Sequence, residues 1–306
     1  MAIFHSCYRT LDVIRSPKVE IAMFGDAAAR IAYELHVKRH PRFLFVANKS
    51  IGVALLRLPE TLDDYLKDKP AVKRARNKAL KLGYTFRTIR ATEYVDEIFA
   101  INTSLPFRQG MPMRRGYVDP ELVKRFCNGV GEVFGVFAPD GRLAAYDHNL
   151  VCGDVFTGTK MLAHKDDLRN GAMYFLITET IRDRIELRNR LGHPNWGMYD
   201  TVWGCSPGLY FFKKRLGFVP YRVKWTWDAS RTPAVNGCGR TLEERMKELK
   251  AKIAFADDFS LNRQRHAEIG LIALLGIVYI IFDPIPGMLD DAVAATIGGY
   301  SMLKRL

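Results

Sequence analysis

Between Val133 and Trp227 the chain alternates apolar runs of strand length with one long helical pattern, and this order restricts the fold more than any other feature. Val133–Ala138 and Leu143–Val151 flank Pro139-Asp140-Gly141 and predict an antiparallel hairpin, because that triplet suits a tight turn. Val155–Ala163 follows the Cys152-Gly153-Asp154 turn as a third strand. Ala172–Arg190 carries one apolar face and predicts a helix, followed by a strand at Gly197–Val202, a short helix at Gly208–Arg215 and a last strand at Val219–Trp227. A meander followed by strand, helix and strand predicts an α/β (α+β) domain, a mixed sheet with helices on its faces.

The first sixty residues read as strands with a short helix. Arg42–Ala47, the Asn48–Ser50 turn and Ile51–Leu58 form a hairpin signal, and Thr61 is placed to cap a helix that begins LDDYL. From Lys67 to Arg90 there are nine Lys and Arg residues against Asp68 alone, a local net charge of +8. Its helix ends at Gly83, a normal residue just past a helix C-terminus, and Tyr84–Arg90 alternates as a strand. Thr92–Ser104 and Asp119–Asn128 predict two further helices, the second with Pro120 in its first turn. The whole chain of 306 residues carries 46 Lys and Arg against 33 Asp and Glu, a net charge of +13. That surplus favours phosphate-bearing partners: nucleotide cofactors, nucleic acid or anionic lipid. With 48% hydrophobic and 26% charged residues the composition excludes wholesale disorder.

The five cysteines, Cys7, Cys127, Cys152, Cys205 and Cys238, are odd in number and widely spaced. Without a C-x-x-C pair they argue against a disulfide scaffold or a zinc ribbon, and no metal is expected. The N-terminus lacks the basic start, apolar run and small-residue cleavage site of a signal peptide, so a cytoplasmic protein is expected. After residue 228 the composition changes, which divides the chain into a domain over 1–228, a linker over 229–241 rich in Gly, Pro, Thr and Asn, and a helical tail over 242–306. In the tail, Ile269–Phe282 is an unbroken run of fourteen apolar residues, broken by Asp283-Pro284-Ile285-Pro286-Gly287 before a second apolar segment at Ala292–Leu303. Fourteen residues fall short of the roughly 20 that span a bilayer. An apolar helical hairpin is expected, and residues 269–303 are a candidate for peripheral contact with a membrane surface, another subunit or the core of the 1–228 domain.

Three landmarks stand in order: RARNKALKLG at Arg74–Gly83, HKDDLRNGAMYFLITETI at His164–Ile181, and YDTVWGCSPGLYFFKKRLGF at Tyr199–Phe218. Together they resemble the FemAB-like branch of the GNAT acyltransferase superfamily, in which a basic helix precedes the transferase sheet and a G-L-x-x-F-K-x-x-x-G segment closes it. Here that segment is Gly208, Leu209, Phe212, Lys213 and Gly217. The resemblance covers about Arg42 to Asp228. It implies a GNAT-like, mostly antiparallel sheet flanked by helices, and an N-acyltransferase that passes an acyl group, acetyl foremost, from acetyl-CoA or another acyl-CoA directly to an amine. The tail is weakly similar to a small YkvA-like bacterial domain through Tyr279, Asp283, Pro284, Pro286, Leu289, Asp290 and Asp291.

A loop that leads into a helix start supplies backbone N–H groups for an anion, which suits the pyrophosphate of coenzyme A. The candidate cofactor-binding residues are therefore Leu162, Ala163, Lys165, Arg169, Asn170, Gly171, Ala172 and Met173. The superfamily pattern [QR]-x-x-G-x-[GA] is not kept: Leu168 stands at the Gln/Arg position and Met173 at the last Gly/Ala. The resemblance thus leaves a second donor open, an aminoacyl-tRNA, which the basic helix suits as well. A nucleic-acid base, in tRNA or DNA, is a third option for the acceptor, and a non-catalytic anion-binding module is the rival from another class. For catalysis, Asp200 at a strand end is a candidate proton acceptor, Tyr199 a donor to the leaving group, and Lys213 a fixed charge for an oxyanion. Asp147 and His148 lie in a strand where they are placed to face the same cleft. Arg108, Gln109 and Tyr117, in the polar segment LPFRQGMPMRRGY, complete a substrate-binding set with His148.

Overall fold

The computed structural model describes residues 11–39, 47–108, 111–202 and 205–231. By its internal contacts the chain divides into two units, Met1–Ser16 with Ser260–Leu306 and Pro17–Phe259, and the second holds the sheet and its helices. The expected strand at 42–46, Gln109, most of the linker and the apolar tail with its candidate membrane contact at 269–303 lie outside the described residues.

Eight strands form one sheet: β1 (Lys18–Met23), β2 (Ile51–Arg57), β3 (Thr85–Ile89), β4 (Glu132–Phe137), β5 (Leu143–Cys152), β6 (Val155–Ala163), β7 (Trp196–Thr201) and β8 (Val219–Trp227). Their order across the sheet is β1-β8-β2-β7-β6-β5-β4-β3. Only β1–β8 and β6–β7 pair in parallel, so the sheet is mixed and mostly antiparallel, as the sequence predicts. Around it pack α1 (Ala27–Val37), α2 (Leu62–Lys67), α3 (Pro70–Lys81), α4 (Val95–Thr103), α5 (Arg115–Val118), α6 (Pro120–Cys127), α7 (Ala172–Leu191) and α8 (Pro207–Arg215).

Local chemistry sets these boundaries. The β4–β5 turn closes as Gly141 takes φ +85° and Asp140 Oδ1 accepts from Arg142 N at 3.0 Å. Thr61, Asp119 and Ser206 each accept a backbone N–H at the start of α2, α6 and α8, and Pro120 and Pro207 occupy first-turn positions where no amide donor is lost. Helix α7 stops at Gly192 in the left-handed conformation.

The sheet is buried on both faces. One face packs Phe134, Val136, Ala144 and Ala163 against Phe175 and Leu176 of α7 and Ala79 of α3. The other packs Phe137, Tyr146 and Leu162 against Ile98 and Ile101 of α4 and Val123 of α6. At the other end, Ile21, Val53, Leu55, Met198 and Trp225 close over Ala29 and Ala32 of α1. This sandwich holds the parallel pair β6–β7 near the middle of the sheet, and the site forms there.

Candidate active site

Strands β6 and β7 pair only at Val155–Trp196, Phe156–Gly197 and Thr157–Met198. Beyond that point β6 runs on to Ala163 and β7 to Thr201, and among the described residues no strand pairs with the two edges that face each other. Burial changes at the same place. Phe156, Thr157, Gly197 and Met198 are buried, whereas Gly158–Met161 and Tyr199–Thr201 are half-buried or exposed. The sheet therefore opens between two parallel strands.

Each bordering strand carries a bulge where the opening begins. On β6, Lys160 pairs with His148 and Gly158 with Asn149, which leaves Thr159 as the extra residue. On β7, Tyr199 and Asp200 together oppose the stretch between Val53 and Leu55 of β2. Bulges re-aim side chains and end pairing. The second one contains the only described non-glycine residue with positive φ, Asp200 at +53°. A side chain in the left-handed region costs energy, least for Asp and Asn, so its surroundings must hold it there.

Two lysines do so. Lys49, in the turn before β2, pairs with Asp200 Oδ1, and the indole N–H of Trp225 donates to the Lys49 carbonyl and fixes that turn. Lys213 of α8 is 2% exposed and donates to Thr201 O at 2.8 Å. Burial alone would raise the Asp200 carboxyl, but Lys49 and Lys213 outweigh it and hold the group below the usual carboxylate range. Burial in turn lowers Lys213, against the pull of Asp200. Tyr199 lies with its ring 4.7 Å below Lys213 Nζ and 5.6 Å from the Phe218 ring. Its phenol is pushed far up by burial and by the nearby carboxylates and Tyr117, so it stays protonated.

Asp200, Tyr199 and Lys213 thus lie together on the β7 side of the opening, Tyr117 packs against Lys160 on its β6 side, and Asp147 is buried behind Gly158 and the Met161 methyl. The Tyr117 phenol is raised chiefly by burial, with Arg114 and Arg108 opposing and Asp200 adding to the effect. Lys160 on β6 spans Tyr117 and Phe126, 4.7 and 4.1 Å from the ring centres, and donates to Gly116 O at 3.0 Å. Asp147 is 1% exposed, on the α7 face behind Gly158.

Other candidates are placed differently. Arg108 Nη2 donates to Ile101 O, Ser104 Oγ and Ala163 O at 3.1, 3.2 and 2.9 Å, so the guanidinium anchors its loop to the end of β6. His148 points to the α6 face with both ring nitrogens engaged, by Thr159 Oγ1 and Val130 O, and burial lowers it to about 4.

The loop into α7 is also occupied by its own protein. Leu162, Ala163 and Ala172 are core residues, Met173 packs against that core, and Asn170 donates to Tyr84 OH at 3.0 Å. Of the residues expected to hold a cofactor, only Lys165 and Arg169 are exposed, beside Asp166 and Asp167. Asp167 is buried between Arg142 and Tyr84, at 3.0 and 2.6 Å. Gly171 has φ +89°, and a Cβ on it would lie 2.5 Å from Ala75 O of α3. Its missing side chain makes room for the basic helix. Gly171→Ala is therefore expected to cost about 2 kcal/mol or more, from left-handed strain and the backbone clash together. A melting temperature equal to that of the parent would refute this.

Lys49, Gly158 and Asn149 are not evident from sequence as members of the site. Gly158 and Asn149 carry weak signals, a glycine inside one strand and a side-chain amide after Asp147-His148 in the other. Lys49, 151 residues before its partner, carries none.

No family model and no curated protein matches the chain. Solved structures resemble it in part. FemX is 10% identical over 56% of this chain and 59% of its own, with a TM-score of 0.45. L-PGS from Bacillus licheniformis is 14% identical over 66% of this chain and 64% of its own, with a TM-score of 0.39. A C-terminal domain (DUF2156) assigned to lysylphosphatidylglycerol synthetase, from Agrobacterium fabrum, is 14% identical over 55% and 57%, with a TM-score of 0.37. The chain spans 57 to 64% of the length of these structures. No described helix is long and apolar enough to cross a membrane.

Proposed function

We propose that this chain is an acyltransferase that moves an aminoacyl group from an aminoacyl-tRNA to an amine, within the opening between β6 and β7. The reading is carried by that opening: two strand edges that no described strand pairs with, a bulge on each, and a buried lysine beside a strained carboxylate. Unpaired edges offer backbone donors and acceptors to an extended acyl group. Lys213 supplies a fixed, desolvated charge for the oxyanion of a tetrahedral intermediate, and Asp200 is suited to hold an ammonium acceptor in line. Lys49 and Lys213 keep the Asp200 carboxyl ionised, which suits an ionic contact with the acceptor ammonium.

The choice of donor rests on what surrounds the start of α7. A diphosphate would meet Asp166 and Asp167 in the preceding turn, and the Gly171 side of the helix start is filled by α3. The same packing presents Lys73, Arg74, Lys78 and Lys81 on the exposed side of α3, beside exposed Arg169, a pattern suited to an RNA backbone. This supports a tRNA-borne ester over an acyl-CoA thioester.

The test is to offer a pool of radiolabelled aminoacyl-tRNAs and, separately, labelled acetyl-CoA, each with small primary amines. Amine-dependent discharge of one or more aminoacyl-tRNAs, weakened steeply by added salt, is expected. Consumption of acetyl-CoA alone would overturn the donor assignment, and consumption of neither would overturn transfer itself.

A further inference from the structure

Helix α8 turns one side to the opening and the other to solvent. Lys213 points inward and is 2% exposed, whereas Phe211, two residues earlier and so on the opposite side, is 59% exposed. Arg215 lies one turn beyond Phe211 and covers that ring, with Cζ 4.5 Å from the ring centre. Its Nη1 donates to Tyr174 OH at 3.2 Å. Tyr174, in the first turn of α7, packs its own ring against Phe212, with centroids 5.0 Å apart. The exposed guanidinium is thus fixed at two points, over one ring and on the hydroxyl of another. Among the described residues no carboxylate pairs with it.

Two close approaches place this face beside the basic helix. Gly171, just before α7, meets Ala75 O of α3, and Gly217, just past α8, leaves room for Lys69 Cε, which a Cβ there would approach to 2.8 Å. The outer face of α8 and the start of α7 therefore adjoin α3, whose Lys73, Arg74 and Lys78 are exposed. Phosphate binding alone needs no exposed ring, and one exposed phenylalanine among cations offers too little apolar area to hold a lipid surface. An open ring and a flat guanidinium match the faces of unpaired bases, which stack on both.

We infer that the outer face of α8 receives the bases of the single-stranded 3′ end of the donor tRNA, stacked on Phe211 and Arg215, while the ester on the terminal ribose reaches Lys213 round the same helix. The inference rests on the aminoacyl-tRNA reading and adds which part of the RNA is held, and how. A helix is about 10 Å across with its side chains, so a few unpaired nucleotides bridge its outer face and the opening. The paired stem then falls towards α3, where phosphate contacts carry no sequence information.

The probe is an RNA hairpin with a single-stranded CCA tail that carries 2-aminopurine, whose fluorescence falls when it stacks. Quenching by the full chain is expected. Phe211→Ala should lose the quench and bind about 10-fold more weakly, by the same factor at low and high salt, because stacking is not ionic; Phe211→Trp should keep both. Arg215→Lys keeps the charge but not the plane, and should bind nearly as weakly as Arg215→Ala. No quench with the parent, a parental quench with Phe211→Ala, or a lysine that fully replaces Arg215 would overturn the inference. So would a blunt hairpin bound as tightly as the tailed one, or binding that depends on Phe211 only with phosphatidylglycerol vesicles. Every readout is of binding, so a protein that quenches the probe but discharges no aminoacyl-tRNA would overturn the transfer reading and leave this surface standing.

Discussion

Lys213→Met is expected to lose about 10²–10³-fold in transfer rate, the usual cost of removing one preorganised oxyanion-stabilising group, while the protein stays folded. The side chain is 2% exposed, on a helix whose start is capped independently by Ser206. Methionine keeps most of the volume but leaves the Thr201 carbonyl without its donor and Asp200 with Lys49 alone, so a melting temperature lower by several degrees is expected alongside the loss of rate. The loss should appear in kcat more than in KM, since the charge acts on the transition state. Because burial lowers its pKa, the parent should also lose rate on the alkaline side earlier than an ordinary lysine would allow, with the charge present at lower pH and lost as pH rises. Rate and pH profiles measured with unchanged circular dichroism would check both points. A variant with parental kcat would remove Lys213 from the chemistry.

The second large effect is at Asp200, where two substitutions separate backbone from charge. Asn accepts the left-handed conformation at φ +53°, and Ala does not without about 1–2 kcal/mol of strain. Asp200→Asn should keep the bulge but leave the Lys49 and Lys213 ammonium groups facing each other without the carboxylate between them. Transfer is expected to fall about 10²-fold, through loss of acceptor orientation, with a melting temperature lower by a few degrees. Asp200→Ala should lose as much rate and more stability. Steady-state kinetics and thermal unfolding of the pair would show it. Equal stability of the two variants would mean that the bulge is held by something other than residue 200.

Much of the sheet is legible in the sequence because its signals are local. Val155–Ala163 and Val219–Trp227 match the observed strands at both ends, and Pro139-Asp140-Gly141 makes the expected turn. The site is legible only in part. Asp200 and Tyr199 on β7, Lys213 on α8 and Tyr117 on α5 lie around one opening, and Asp147 on β5 is buried behind it. What sequence cannot supply is what depends on register and on distant partners. The bulge that turns Asp200 out of line is a property of its pairing with β2, and its cation, Lys49, comes from a turn with no motif. Arg108 looks like a substrate fork because an arginine in a polar loop has free donors on paper; three of its contacts are in fact to its own chain. Gly171 looks like room for a phosphate, and the room is taken by α3, which no local pattern could reveal.

The most direct measurement is a crystal structure with a non-hydrolysable aminoacyl-adenosine, the amide analogue of the tRNA 3′ end, bound. The aminoacyl carbonyl should lie between Gly158–Ala163 and Tyr199–Thr201, within hydrogen-bond reach of Lys213 Nζ. Density for the analogue elsewhere, with β6 and β7 unoccupied, would contradict the assignment of this opening as the place of transfer.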